Sequence, residues 1–276
     1  MSGHNHFNSL KLILAGMLAL LGVSACSWLP DQIDETESWS AAQLYAEAKD
    51  NLNSGNYETA ISYFEKLQAR YPFGRYAQQA QLEIIYAYYK AGEPDSAIAA
   101  ADRFIRINPR NPFVDYAYYM KGLVNFNRGV SLLERFLPNN PAKTDTSTAM
   151  QSFNDFAELV QKFPDSKYAE DARQRMVYLR NNLAAYETNV AKYYLQRKAY
   201  VAAANRATYV LENYARTPSV ADALVVMTRA YVKMDLKDLA KDSLRVLALN
   251  YPNSSALPEL TALVNGTKSE TSFAFF

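Results

Sequence analysis

Cysteine occurs once in 276 residues, at Cys26, and histidine only twice, at His4 and His6. One cysteine excludes an internal disulfide. With no histidine beyond residue 6, the rest of the chain lacks the commonest general base, the usual zinc ligand and any Ser-His or Cys-His nucleophilic pair. Glycine is scarce too: the six glycines after residue 25 are never closer than seven positions, which leaves no Gly-rich phosphate cradle. Neither sign of charge is in excess, with 29 Lys and Arg against 28 Asp and Glu. That balance argues against a nucleic-acid binder held by counterion release, while leaving room for local basic patches. Acidic pairs such as Asp31 with Asp34 and Glu170 with Asp171 read as a solvated linker and a solvated helix face, not as acid/base couples. The protein is therefore expected not to be an enzyme, and to carry no metal or cofactor.

No apolar run reaches the roughly 20 residues of a membrane-spanning helix. The longest, "LILAGMLALLGV" from Leu12 to Val23, follows Lys11 and ends in small residues, the pattern of a secretory signal peptide. The adjoining "VSAC" resembles a bacterial lipobox. That resemblance implies that residues 1–25 are removed and that Cys26 takes a diacylglycerol, becomes the new N-terminus and is acylated again. Two or three chains hold a protein stably on a bilayer, whereas one does so only marginally. Ser27 stands where an aspartate would signal inner-membrane retention, so the outer membrane is expected. Removal leaves 276 − 25 = 251 residues, with 29 − 1 = 28 basic against 28 acidic. Residues 26–38, "CSWLPDQIDETES", are expected to be a lipidated flexible tether.

What the chain has in abundance is repetition. Gly55 is followed by Ala60, Phe64, Leu67 and Pro72; Gly92, 37 residues later, by Ala97, Ala101, Phe104 and Pro109 at the same offsets. Ser152, Phe156, Leu159 and Pro164 repeat the register. So do Ala203, Ala207 and Val210, and then Ala240, Leu244, Leu247 and Pro252. Apolar residues at i, i+4 and i+7 make one helix face, a small residue lets two helices approach, and a proline after the last turn stops the helix. A further helical pattern precedes each copy. A period of 34 to 37 residues with this spacing resembles tetratricopeptide repeats. The expected fold is all-α, a right-handed superhelix of five helical hairpins with a concave binding surface.

The third copy is interrupted. "VSLLERFLPNNPAKTDTSTAM", from Val130, inserts roughly 18 residues between its two helices. The expected division is repeats one to three over 39–164 with an insertion at about 130–148, repeats four and five over 165–262, and a flexible tail over 263–276.

Three stretches, "RYPFGRYAQQAQLEIIYAYYK" at 70–90, "DRFIRINPRNPFVDYAYYMKGL" at 102–123 and "VAAANRATYVLENY" at 201–214, resemble the BamD (ComL) family of outer-membrane β-barrel assembly lipoproteins. The resemblance covers essentially the whole chain after residue 25. It implies a lipid-anchored scaffold on the periplasmic face of the outer membrane, docked on the periplasmic domain of the barrel subunit BamA beside other lipoproteins of the machine. It also implies recognition of unfolded barrel-protein peptides. The rival is a peptidoglycan-associated lipoprotein of cell-wall organisation or DNA uptake, which the older family name suggests.

Counting back 3, 6 and 10 residues from the turn glycine selects groove positions on the first helix of each hairpin. These are Leu52, Lys49 and Tyr45; Tyr89, Tyr86 and Leu82; and Phe126, Leu123 and Tyr119. In the last two repeats they are Leu195, Lys192 and Thr188, then Val232, Arg229 and Val225. The N-terminal half thus offers aromatic surface, although tyrosines also fill inter-helix cores. In "RYPFGRY", Tyr71, Phe73 and Arg75 flank the turn of Pro72 and Gly74 and are either displayed beside the groove or packed inward. The resemblance adds Tyr71 and, in repeat four, Arg206 as contacts to substrate. The substrate set is therefore Tyr71, Phe73, Arg75, Tyr86, Tyr89, Tyr119 and Arg206. For the barrel subunit the C-terminal repeats offer Lys192, Arg229 and Lys233. The tail "ETSFAFF" ends as barrel substrates usually do, but a frayed terminus is its default reading.

Overall fold

Ala60, Ala97, Ser152, Ala203 and Ala240 stand at one register position in five successive hairpins, each at most 1 % exposed. Side chains this small let the second helix of a hairpin close on the first. Around them Phe64, Leu67, Phe104, Phe156, Leu159, Val210 and Leu247 fill the interior. The apolar positions of the periodicity therefore form the core, Leu244 alone among them being only partly buried, while Gly55, Gly92 and the stop prolines are exposed.

The structure, a computed structural model, describes residues 34–128 and 146–266. These hold eleven helices and no strand: α1 Ala41–Asn53, α2 Tyr57–Arg70, α3 Arg75–Ala91, α4 Pro94–Ile107, α5 Val114–Asn127, α6 Thr146–Lys162, α7 Ala169–Gln196, α8 Tyr200–Asn213, α9 Ser219–Lys233, α10 Lys237–Asn250 and α11 Leu257–Val264. The chain divides into a short unit, residues 1–40, and a helical unit, Ala41–Phe276. In the first, Asp34 closes a small turn by accepting the Thr36 amide and hydroxyl at 3.1 and 2.7 Å. In the second, each helix packs on the next, and odd-numbered helices also touch across neighbouring hairpins. The result is an all-α solenoid of five tetratricopeptide hairpins with α11 closing the end.

The turns inside four hairpins are copies of one another. At Gly55, Gly92, Lys198 and Asp235 the amide returns to the carbonyl three residues back, and the following amide to the carbonyl five residues before it. This double closure requires a left-handed residue. Gly55 and Gly92 supply it at φ 82° and 80°; Lys198 and Asp235 adopt it at 62° and 57° despite their Cβ atoms.

The third hairpin is held differently. Asn125 Nδ2 donates to Asp155 Oδ2 at 2.7 Å, Gln151 Nε2 to Asp155 Oδ1 at 3.0 Å, and Ser152 Oγ to the Gly122 carbonyl at 2.9 Å. The bonds of Asn125 and Ser152 tie α5 to α6 beside the insertion, and Gln151 braces Asp155 from within α6. Gly122 is needed there, since a Cβ would lie 2.5 Å from the Phe156 ring.

The last helix, α11, was not read in the sequence. Leu260 and Leu263 join Val220, Leu224 and Leu247 in a separate end cluster, so the solenoid does not leave its final apolar face open. The helix runs to Val264, past the boundary placed at 262, and α6 begins at Thr146, inside the insertion placed at 130–148. The expected signal peptide, Cys26, most of the insertion and the aromatic tail lie outside the described residues.

Candidate functional site

The odd helices form one inner layer, and each step between them is bridged by side chains. Lys49 on α1 pairs with Glu83 on α3. Asn127 on α5 donates to the Tyr89 hydroxyl of α3 at 3.0 Å. The Tyr119 hydroxyl of α5 donates to Asp171 of α7 at 2.8 Å. Lys192 of α7 reaches Asp222 of α9 at 2.6 Å, and Arg229 of α9 reaches Glu259 of α11. Groove positions chosen by register are thus also the positions through which one hairpin recognises the next.

This alters the reading of several candidates. Tyr86 and Tyr89 are half-buried with ring centroids 6.2 Å apart, and Tyr119 stacks on Tyr168 at 4.7 Å and 17°. Burial first, then the bond to Asp171, pushes the Tyr119 hydroxyl up to about 12. Asp171 stays below the usual carboxylate range: burial opposes this, but Arg175 and Tyr119 outweigh it. Tyr89 and Tyr119 are struts between hairpins, and all three rings keep an edge toward solvent. Arg206 joins the two arms of its own hairpin, with Nη1 2.7 Å from Glu187. Arg229 is the clearest departure from an open cation, since its side chain is 13 % exposed and holds both Glu259 oxygens. Lys192 is more open, and Lys233 is exposed in the last turn of α9.

The "RYPFGRY" turn resolves toward display. Tyr71 is 36 % and Phe73 90 % exposed, and the Arg75 guanidinium lies over the Tyr76 ring at 4.7 Å. Gly74 at φ 96° diverts the chain here. The corresponding turns of the later repeats instead carry two successive backbone bonds, such as Asn111 to Asn108 and Val114 to Asn111. Behind this edge a cleft of about 530 Å³ opens between α2, α3 and α4, with the Tyr88 hydroxyl donating to Glu65 at 2.6 Å.

One cluster escaped the sequence reading. Arg175 lies over Phe126 at 4.7 Å while its Nε donates to Asp171 at 2.6 Å, and Tyr178, 48 % exposed, packs on Phe126 at 5.7 Å. Counting back from Lys198 covered only the last three turns of α7. The signal was the length of the uninterrupted helical pattern, since α7 runs 28 residues where the other inner helices have 8 to 17. Among the described residues no three of His, Cys, Asp and Glu are grouped to hold a metal ion, and no helix is long and apolar enough to cross a membrane.

Bridged repeats, an aromatic inner layer and a displayed turn define a repeat-built scaffold that works through surfaces. The chain belongs to the YfiO family of outer membrane lipoproteins, whose family model matches residues 37–254. Among similar proteins, one from Neisseria meningitidis serogroup B is 44 % identical over 254 residues, covering 91 % of this chain and 95 % of the relative. One from Vibrio cholerae is 36 % identical over 237 residues, covering 86 % and 97 %. Both bear the name outer membrane protein assembly factor BamD. Of solved structures, the TPR2AB domain of yeast Sti1 aligns at 12 % identity and a TM-score of 0.42, covering 82 % of this chain and 83 % of that one. That likeness is too slight to build on.

Proposed function

We propose that this protein is an outer-membrane protein assembly factor: a lipid-anchored scaffold that receives unfolded barrel proteins and docks on the periplasmic domain of BamA. The observation that carries the reading is near full-length similarity to proteins of that name, on a chain whose described residues form a helical-repeat solenoid. The lipid on Cys26 holds the helical unit at the periplasmic face of the outer membrane. Substrate meets the first repeats at Tyr71, Phe73 and Arg75. The exposed rings there suit the aromatic side chains of a barrel strand, and the guanidinium suits a carboxylate or backbone oxygen. The half-buried edges of Tyr86, Tyr89 and Tyr119 and the guanidinium of Arg206 continue that surface.

The C-terminal repeats serve the barrel subunit. Lys192 and Lys233 give that end exposed positive charge toward an acidic partner, while Arg229 holds the end of the solenoid in shape. Because a solenoid's contacts run between neighbouring repeats, its two ends can present independent surfaces. The test is a pull-down from detergent-solubilised outer membranes. Barrel-assembly subunits should co-purify; recovery of murein fragments in their place would select the peptidoglycan-associated reading.

A further inference from the structure

The turns that lead from one hairpin to the next lie side by side in the first repeats. The α4–α5 turn packs on α3 through Asn108, whose Nδ2 donates to Gln81 at 2.9 Å, and Asn111, whose Nδ2 reaches Gln78 at 3.4 Å. Gln78 is one turn past Arg75, where the α2–α3 turn ends. The two turns therefore share one edge. From it project Phe73 at 90 %, Phe113 at 60 % and Ile107 at 54 % exposure.

Arg106 and Arg110 are exposed on the same edge, and no ion pair joins either to another described residue. Several cations elsewhere are matched, as in Lys49 with Glu83, Arg128 with Asp95 and Arg206 with Glu187. Of the nearby carboxylates, Asp102 pairs with Lys121, while Glu65 and Asp115 accept from the Tyr88 and Ser166 hydroxyls. Two arginines without an ion pair to the described residues thus stand among the most exposed apolar side chains.

We propose that this edge is a peripheral membrane contact, laying Phe73 and Phe113 into the headgroup boundary of an anionic phospholipid surface with Arg106 and Arg110 on its phosphates. Aromatic rings favour that boundary and guanidinium groups bind phosphate through paired donors. Of this set only Phe73 also belongs to the substrate surface proposed above; Phe113, Arg106 and Arg110 lie outside it. The orientation rests on the anchor reading above. Residues 27–40 separate Cys26 from α1, a span of at most about 50 Å at roughly 3.6 Å per residue, so the first repeats stay within reach of the bilayer.

The helical unit, residues 41–276, carries no acyl group, so its binding to vesicles is independent of the anchor, and the variants assign it to this edge. It should sediment with vesicles of phosphatidylethanolamine and phosphatidylglycerol and not with phosphatidylcholine. Since each arginine near such a surface contributes about a factor of five, R106Q/R110Q should weaken binding about thirtyfold. F73S/F113S should abolish the part that survives high salt. Circular dichroism checks that both variants keep their helices, and either variant alone suffices. The proposal falls if the unit ignores anionic vesicles, or if both variants bind them within about twofold of the parent. It also falls if the substitutions weaken capture of a soluble aromatic peptide with a free carboxylate while vesicle binding persists. Labelling of Cys26 with radioactive fatty acid in cells reports the anchor separately, so failure of one reading is not confused with failure of the other.

Discussion

Arg229 grips both oxygens of Glu259, at 3.1 and 2.9 Å, across the step from α9 to α11. A bidentate pair of this kind, with the guanidinium side chain 13 % exposed, fixes the closing helix as much as it displays charge. Arg229→Glu places two carboxylates face to face and should destabilise the helical unit by about 2 kcal/mol. The double variant Arg229→Glu, Glu259→Arg should recover at least half of that by thermal unfolding. Failure of the swap to recover anything would mean that the site acts through packing of the arginine stem, not through the pair.

Lys233 separates docking from folding. Lys233→Glu should leave the unfolding temperature within about 1 °C, as surface substitutions usually do, while lowering affinity for the BamA periplasmic domain with a salt-dependent on-rate. Unchanged affinity at low salt would remove the C-terminal repeats from the docking model.

Turn geometry predicts a gain. Lys198 and Asp235 occupy the left-handed position that Gly55 and Gly92 fill in the first two repeats. Lys198→Gly and Asp235→Gly should each stabilise by about 0.5 kcal/mol, relief of the Cβ clash exceeding the added freedom of the unfolded chain. Chemical denaturation reads the change as a higher midpoint at constant slope. Gly122→Ala should do the reverse, costing about 2 kcal/mol because the added methyl meets the Phe156 ring.

Asp155 predicts a pH effect of definite sign. Burial lifts its carboxyl above the ordinary carboxylate value, outweighing the bonds from Asn125 and Gln151 and the charge of Lys121. A carboxyl with a raised folded-state pKa favours the folded state once protonated, and that contribution is lost as pH rises through the folded pKa. The unfolding temperature of the parent minus that of Asp155→Asn should therefore increase as pH falls from 7 toward roughly 4. A difference that shrinks over this range would show that the ionised carboxylate is the favoured form.

The anchor can be tested at one atom. Cys26→Ser should leave the precursor uncleaved by the lipoprotein peptidase or release soluble protein to the periplasm. Mature-size protein still firmly in the outer membrane would end that reading.

The five hairpins were legible because small, aromatic and proline residues recurring at fixed offsets encode local events: a close helix approach, a buried face and a stop. Those events need only neighbours in sequence, so Ala60, Phe64 and Leu67 already state the core. At "RYPFGRY" the sequence left display and inward packing open. What the pattern could not reveal is which side chains remain available once hairpins stack. Tyr119 meets Asp171 across 52 positions, Arg229 meets Glu259 across 30, and Arg106 and Arg110 meet no carboxylate among the described residues. Such pairings depend on the angle and register between neighbouring repeats. The sequence by itself therefore determined the repeat and its number. The tertiary structure alone decided which charges and aromatic rings hold the solenoid together and which face outward, because a side chain's exposure depends on where the next repeat is placed.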